Sequence, residues 1–347
     1  MARIAVVTSH PPFAEGGHLV IARALTDALR GLGHQADITL TPQNRFGRQA
    51  SAYLSTWLTD LGQAHDGCPI DQVISFRFPS YAVRHARHVC WLNHRMREYY
   101  DQWPQFSAQL SYRARFKERV RRELIHSADH YFLTRNVSRL FSQSRTVQER
   151  LIRWGRISSE VLHPPAPPRP YRCDGYDDYF LVASRLTPLK RIDLLVQALA
   201  EPAASGVRCV IVGDGEARSS IEARIEVLGL GERVSLLGRV DDSTLIEHLA
   251  RCRFVCCPSE QEDYGLVTAE AFSSAKAVIT CTDSGGHAEL VEHGATGLLV
   301  EPSKQALAGA LGRLMDDVAT AERWGQLARR KAETMTWEDT VDQLLLV

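Results

Sequence analysis

Apolar residues run almost unbroken over Ile4–Thr8 and, beyond Gly16-Gly17, recur at helical spacing from Leu19 to Leu29. The continuous run predicts a strand covered on both faces, and the spaced run predicts a helix packed against it. Gly31 and Gly33 are the stop signals of that helix. Further apolar runs at Gln72–Phe76, Val89–Leu92 and His130–Leu133 predict more strands, separated by helix-like segments. The pattern breaks at His163-Pro-Pro-Ala-Pro-Pro-Arg-Pro170, which can continue neither a helix nor a central strand and favours extended backbone. Residues 163–178 are therefore expected to link two domains. Beyond them a second alternation predicts strands at Phe180–Ala183, Cys209–Val212, Val234–Leu237, Phe254–Cys257 and Ala277–Cys281. Helices are expected from Ile192, over Ala217–Leu228 and Ser243–Ala250, near Leu266–Ser274, and then to the end.

Strand–helix alternation on this scale predicts an α/β fold of two doubly wound, Rossmann-like domains with parallel sheets. At 347 residues the chain exceeds the size at which one core keeps growing. The expected domains are 1–165 and 166–347, facing a cleft, with the last helix free to pack back on the first. Ligand space is expected at the carboxyl ends of the strands.

Charge sharpens this division. Net charge is zero, which argues against a general nucleic-acid partner. Residues 1–165 nevertheless carry 22 Lys and Arg against 13 Asp and Glu, and the remainder the opposite excess. The eight cysteines lack a secreted-framework spacing. Cys252, Cys256 and Cys257 flank an apolar stretch that reads as a strand, with no second Cys/His pair at zinc spacing. Free thiols, no signal-peptide pattern and no apolar run of ~20 residues point to a cytoplasmic protein.

Several clusters could carry chemistry. Gly16-Gly17, between the first strand and first helix, suits either backbone approach to an anion or a plain tight turn. Arg185 and Lys190 follow the first strand of the second domain, where a guanidinium fork and an ammonium suit a diphosphate. They read equally as solvated cations. Glu262-Asp-Tyr-Gly-Leu-Val-Thr-Ala-Glu270 places one acid in a loop and one in the second turn of a helix opened by Gly265. Each can accept from a vicinal diol, with a helix N-terminus between them for phosphate. A capping acid followed by a solvated helix Glu is the alternative. His94 follows an apolar strand, in a structural or a functional role, and Arg95, Arg97, Tyr99 and Tyr100 behind it read either as the lining of an acceptor groove or as local packing. Ser111–Ile125 holds six Lys and Arg against two Glu at partly helical spacing. It reads as a solvated helix face, or as a patch for a membrane surface or an anionic acceptor.

Taken together, these residues resemble the family-4 retaining glycosyltransferases of GT-B fold. The match rests on Glu262 and Glu270 as an E-x7-E motif, Arg185 and Lys190 in Ser184-Arg-Leu-Thr-Pro-Leu-Lys190, and Gly213-Asp214-Gly215. Leu237-Gly238-Arg239, Ser284-Gly285-Gly286 and Gly294–Pro302 follow in order. It covers residues 175–340 well and the first domain thinly, through Gly16-Gly17, Trp91–His94 and Thr134–Asn136. The resemblance implies that Glu262 contacts the donor sugar, Glu270 the ribose, and Arg185 and Lys190 the diphosphate. It further implies phosphate contacts at Gly16, Gly17, Gly213, Gly265 and Leu266, and a place for His94 beside the transferred sugar. Two departures stand out. Asp263 and Tyr264 replace a usual glycine and aromatic, and Ser274-Ala275-Lys276-Ala277 replaces a small-glycine-x-proline run.

The implied reaction is metal-independent, retaining transfer of a hexosyl group from a UDP- or GDP-sugar. The acceptor would be a glycan, lipid-linked or small-molecule hydroxyl, as in cell-envelope polysaccharide synthesis. No D-x-D stands after a strand to hold a cation, and no cofactor is implied. A nucleotide-sugar 2-epimerase and a silent sugar-nucleotide-binding subunit share the fold and remain alternatives. A dinucleotide dehydrogenase would want G-x-G-x-x-G after the first strand, which is absent.

Overall fold

The computed structural model describes residues 1–11, 16–43 and 46–346. They form two compact units, Met1–Pro164 with Thr336–Val347, and Pro165–Met335. Each holds a six-stranded, all-parallel sheet.

In the first unit the strands are β1 (Arg3–His10), β2 (Gln35–Pro42), β3 (Gln72–Ser75), β4 (His88–Leu92), β5 (Arg139–Ser142) and β6 (Glu160–Val161). Their order is β2-β1-β3-β4-β5-β6. The helix Gly17–Gly31 stops where the apolar spacing stops, and Gly33 takes a left-handed φ of +85° so that its own amide and that of His34 can close the turn on the Arg30 and Leu29 carbonyls. The last helix, Trp337–Leu344, belongs to this unit. Gln72 at the start of β3 donates to the Leu344 carbonyl at 2.7 Å and accepts from the Leu346 amide at 2.9 Å.

One strand expectation fails here. His130–Leu133 is not a strand: helix Tyr112–Tyr131 runs through its start, and a π turn, Phe132–Asn136, ends it. Ile125, Asp129 and Leu133 are buried at four-residue spacing, so the apolar run is the end of a helix face. The strand follows later, at β5. Edge strand β2 buries only Ala36 and Thr41 and carries no continuous apolar run, so no strand pattern marks it in the sequence.

The second unit contains β7 (Phe180–Ala183), β8 (Cys209–Val212), β9 (Val234–Gly238), β10 (Val255–Cys257), β11 (Val278–Cys281) and β12 (Gly297–Val300). The order is β12-β11-β10-β7-β8-β9. Central β7 and β10 are buried along their whole length, as continuous apolar runs require, and Phe180 stacks on Phe254 at 5.3 Å. β12 corrects the expectation of helices to the end: it lies beyond the short helix Gly286–Leu290. Residues 162–178 form neither helix nor strand. Lys276, in the atypical run, is fully buried; its ammonium meets the Gly175 carbonyl and lies 4.0 Å from the Tyr176 ring. Ala275 beside it takes a left-handed φ of +54°, which favours glycine.

Helix Lys304–Asp316 packs across Pro202–Ala204 so closely that a Cβ on Gly312 would stand 2.0 Å from the Ala203 carbonyl oxygen. Gly309, in the same helix, has open space around it. The same substitution should therefore have opposite signs. Gly309→Ala is expected to stabilise the second unit by about 0.5–1 kcal/mol, and Gly312→Ala to cost about 1–3 kcal/mol. Urea unfolding of the two variants checks this, and equal effects would contradict the packing.

Candidate functional site

In the second unit the strand order reverses between β7 and β10, so their following connections part and leave a crevice at the sheet's carboxyl edge. The connection after β7 carries Arg185 and Lys190; the one after β10 carries Glu262. Lys190 Nζ donates to Glu262 Oε2 across the gap. Arg185 is exposed, and its guanidinium has no partner among the described residues.

The connections after β10 and β11 are zipped together beyond their strands. Gln261 and Glu262 donate to the carbonyls of Asp283 and Ser284 at 2.9 and 3.3 Å, and Gly286 returns a bond to the Glu262 carbonyl at 2.9 Å. Glycine makes this possible. A Cβ on Gly286 would stand 2.5 Å from Tyr264 Cα, one on Gly265 2.9 Å from His287 Cα, and Gly285 has φ +59°. Arg191, left-handed at φ +51°, ties in the third connection through two 2.8 Å bonds to Asp283 and a 3.3 Å contact with Glu260.

In the same unit the helices that follow Asp241, Ser303 and Asp317 start with a side-chain cap, whereas Arg218–Val227 starts without one. The helices Ile192–Leu199 and Leu266–Ser273, which start at the crevice, have none. Their first amides, including those near Gly265 and Leu266, are left to other acceptors, as an anion site requires. Gly213 and Gly215 serve packing: a Cβ would meet the Ser184 carbonyl oxygen at 1.8 Å or that of Leu186 at 2.3 Å. They let the turn after β8 lie directly on the connection carrying Arg185.

The two acids have different electrostatics. Burial works to raise the Glu262 pKa, but the facing Lys190 ammonium leads the opposing pull and holds the carboxyl below its ordinary value. His287, pushed down to about 4 mainly by burial, is neutral and pairs through Nδ1 with Thr268 at 2.8 Å. Glu270 is buried in the helix Leu266–Ser273, and burial raises it to about 7 against the pull of Arg169 and Tyr171. Arg169 Nη1 donates to Glu270 Oε1 at 2.5 Å and the Tyr171 hydroxyl reaches the same oxygen at 3.2 Å, while Arg169 Nη2 bonds Asp242 at 2.9 Å. Sequence reasoning passed over Arg169, Tyr171, Arg191 and His287. The signals were faint: two residues in a proline-rich link, a third cation after Lys190, and a histidine after Gly285-Gly286.

The first unit gathers Gly16, Gly17 and His94 near its own reversal point, between β1 and β3. Gly16 precedes the uncapped helix Gly17–Gly31 in extended backbone that any residue can adopt. A side chain there would press on His18, 3.0 Å from its Nδ1. Arg77, just past β3, lies 3.1 Å from that Nδ1. Burial, then Arg77 and His94, push His18 down to about 3. His94 follows β4, and its Nδ1 lies 2.7 Å from the Arg95 carbonyl, which places a proton on Nδ1. His18 and Arg77 were not anticipated. Among the described residues no group of three His, Cys, Asp or Glu is arranged to hold a metal ion.

Residues 169–331 match the family described as Glycosyl transferases group 1. Over 180 residues the chain is 33% identical to a D-inositol 3-phosphate glycosyltransferase of Jonesia denitrificans, covering 49% of this chain and 42% of that one. The chain spans less than half the length of the curated relatives it matches. Among solved structures it resembles sucrose-phosphate synthase from Thermosynechococcus elongatus, with a TM-score of 0.77 at 19% identity over 98% of this chain and 97% of that one. HepE of Anabaena, solved with UDP and glucose, gives 0.67 at 20% identity over 98% and 97%. These structural likenesses establish the fold, which is that of the GT-B glycosyltransferases.

The Glu270 environment makes a prediction independent of any ligand. Its folded pKa of about 7 lies above the ordinary 4.5, so its contribution to stability is full below pH 4.5 and is lost as pH rises through about 7. Carboxyl ¹³C NMR should show a Glu titrating near pH 7, absent in Glu270→Gln. Arg169→Ala should move that midpoint up by about one to two pH units, the worth of one charge-assisted hydrogen bond. A midpoint near 4.5 in the unmodified protein would contradict the assignment.

Proposed function

Because the second unit belongs to the group 1 glycosyl transferases, we propose that this chain transfers a hexosyl group from a nucleotide sugar to an acceptor hydroxyl, with retention at the anomeric carbon. The observation that carries the proposal is the grouping at the β7/β10 crevice: Lys190 on Glu262, exposed Arg185 on the same connection as Lys190, and Glu270 in the second turn of the helix that follows Glu262.

In this reading the donor diphosphate takes up Arg185 and Lys190, together with the uncapped amides at Gly265 and Leu266. These stabilise the charge that develops on the leaving group, the part a divalent cation plays in other sites. Glu262, kept ionised by Lys190, accepts hydroxyls of the donor sugar. Glu270 accepts from the ribose, with Arg169 and Tyr171 holding one of its oxygens in place. His94, with its proton on Nδ1, contacts the transferred sugar, and Gly16 and Gly17 approach the phosphates. The acceptor proton is assigned to the departing phosphate, so no side chain here acts as a general base. HepE was solved with UDP and glucose, which makes UDP-glucose the first donor to try.

A lipid-linked acceptor is favoured by the helix Tyr112–Tyr131. Tyr112, Phe116, Val120 and Leu124, one turn apart, are 87, 66, 49 and 67% exposed, and Arg113, Arg115, Lys117 and Arg119 are exposed on either side of them. An apolar stripe flanked by cations suits the surface of an anionic bilayer. Among the described residues no helix is long and apolar enough to cross a membrane.

Three measurements test the proposal. Glu262→Gln should abolish transfer and leave nucleoside diphosphate binding nearly intact; normal turnover would remove Glu262 from the sugar. Lys190→Ala should weaken nucleoside diphosphate binding by about 1.5–3 kcal/mol in calorimetry, the scale of a hydrogen bond to a charged group. Turnover should survive EDTA, and product NMR should show the donor's anomeric configuration, whereas inversion at C2 of the sugar would instead indicate an epimerase.

The membrane part is tested by sedimentation with phosphatidylglycerol-containing vesicles. Phe116→Ser with Leu124→Ser should lower partitioning at least about tenfold, given about 1.5–3 kcal/mol for each buried apolar side chain. Equal binding to purely zwitterionic vesicles would rule out the electrostatic contribution.

A further inference from the structure

Residues 169–177 of the second unit form neither helix nor strand, yet they are fastened along their length to two helices. With helix Asp242–Arg251 the contacts advance in step. Arg169 bonds Asp242 at 2.9 Å and Arg172 bonds Glu247, and the Asp174 and Asp177 amides donate to the Ala250 and Arg251 carbonyls at 2.9 and 2.7 Å. With helix Leu266–Ser273 and the turn after it they advance the same way. Arg169 and Tyr171 meet Glu270, then Cys173, Gly175 and Tyr176 meet Ala275 and Lys276. The segment is a strap laid along both helices. Its first residues sit on the crevice acid, and its last sit at the far end of the helix that carries that acid.

Lys276 closes the far end. Its ammonium, fully buried, donates to the Gly175 carbonyl and to the Cys173 sulfur at 3.3 Å, and it lies 4.0 Å from the Tyr176 ring. The Tyr176 hydroxyl returns a 2.8 Å bond to the Ala275 carbonyl. A buried ammonium is tolerated only where hydrogen bonds and a ring face replace its water, and residues 173–176 supply them. The strap cannot lift there without stranding that charge. Lys276 is equally fixed to the acid's helix, since its amide donates at 2.8 Å to the carbonyl of Ala271, the residue after Glu270. At the crevice end the hold is weaker. Arg169 is shared between buried Glu270 and an Asp242 whose side chain is 68% exposed, so it has a second carboxylate to turn to. Arg169 and Tyr171 both donate to Glu270 Oε1, and Oε2 has no donor among the described residues.

We propose that Lys276 is a positioning residue for the donor's ribose. By pinning residues 173–176 to the end of the acid's helix, it keeps Arg169 and Tyr171 on one oxygen of Glu270 and leaves the other for the diol. The ribose role rests on the transferase reading; the pinning of Arg169 onto Glu270 does not. Lys276 touches no part of a bound nucleotide in this scheme and acts only through the strap. Without it Arg169 is free to follow Asp242 toward water, and Glu270 loses the guanidinium that favours its charge.

Two readouts on the full chain test this with Lys276→Met, which keeps much of the side chain's length and removes its charge. Without ligand, the Glu270 midpoint in carboxyl ¹³C NMR should rise by at least about half a pH unit, part of the effect of removing Arg169 itself. In calorimetry, UDP and GDP are each compared with their 2′-deoxy forms. The unmodified protein should prefer the ribonucleotide at least about tenfold, the scale of a hydrogen bond to a charged group, and Lys276→Met should lose most of that preference. Should Lys276→Met fail to fold, Tyr176→Leu, which removes the ring beside the ammonium, carries both readouts. A lower melting temperature with midpoint and preference both unchanged would make Lys276 merely structural and overturn the proposal. If neither nucleotide binds the unmodified protein, the donor reading falls and takes the ribose role with it. The Glu270 midpoint alone then decides whether Lys276 holds Arg169 in place.

Discussion

The Lys190–Glu262 ion pair exists because two adjacent parallel strands send their chains to opposite sides. At any other place in the sheet, consecutive connections would cover the strand ends and fill the gap with backbone. At the β7/β10 reversal they part, and a cation from one side meets an anion from the other. Neither charge is comfortable alone there, since both side chains are largely withdrawn from water. The pair keeps the crevice charged and open, and it leaves Lys190 in place for a ligand that carries more negative charge than one carboxylate.

The two acids of the same crevice illustrate how position decides chemistry. Glu262 sits in a loop facing Lys190 and is kept ionised. Glu270 sits inside a helix, almost without access to water, and one guanidinium and one phenol only partly offset the cost of its charge. One is a constant anion near neutral pH and the other is poised between forms. Arg169, which adjusts the second, comes from the segment that joins the units, so the acid's ionisation depends on residues far from it in sequence.

The second unit was largely legible because its central strands are buried on both faces and read as continuous apolar runs. Phe180–Ala183 and Cys209–Val212 coincide with β7 and β8 for that reason. Legibility failed where burial is one-sided or borrowed. Gln35–Pro42 buries only Ala36 and Thr41 and shows no apolar run, while the His130–Leu133 run belonged to a helix whose buried face passes through Ile125 and Asp129. In the site, Glu262, Glu270, Arg185 and Lys190 stand at fixed spacing after strands and could be read. Arg169 and His287 could not, because their partners lie 101 and 19 residues away, and only the folded chain brings them together.

The glycine contacts around the crevice also govern how such a site can diversify. Gly213, Gly265, Gly285 and Gly286 each lie against backbone that cannot yield, so none can accept even a methyl group without the loops separating. Neighbouring positions with side chains already in place, such as Asp263 and Leu266, are not closed in this way. Descendants of this chain can therefore alter what the crevice selects by exchanging those side chains, while the outline of the crevice itself stays heritable and nearly unchanged. Selection would act on its lining and leave its frame alone.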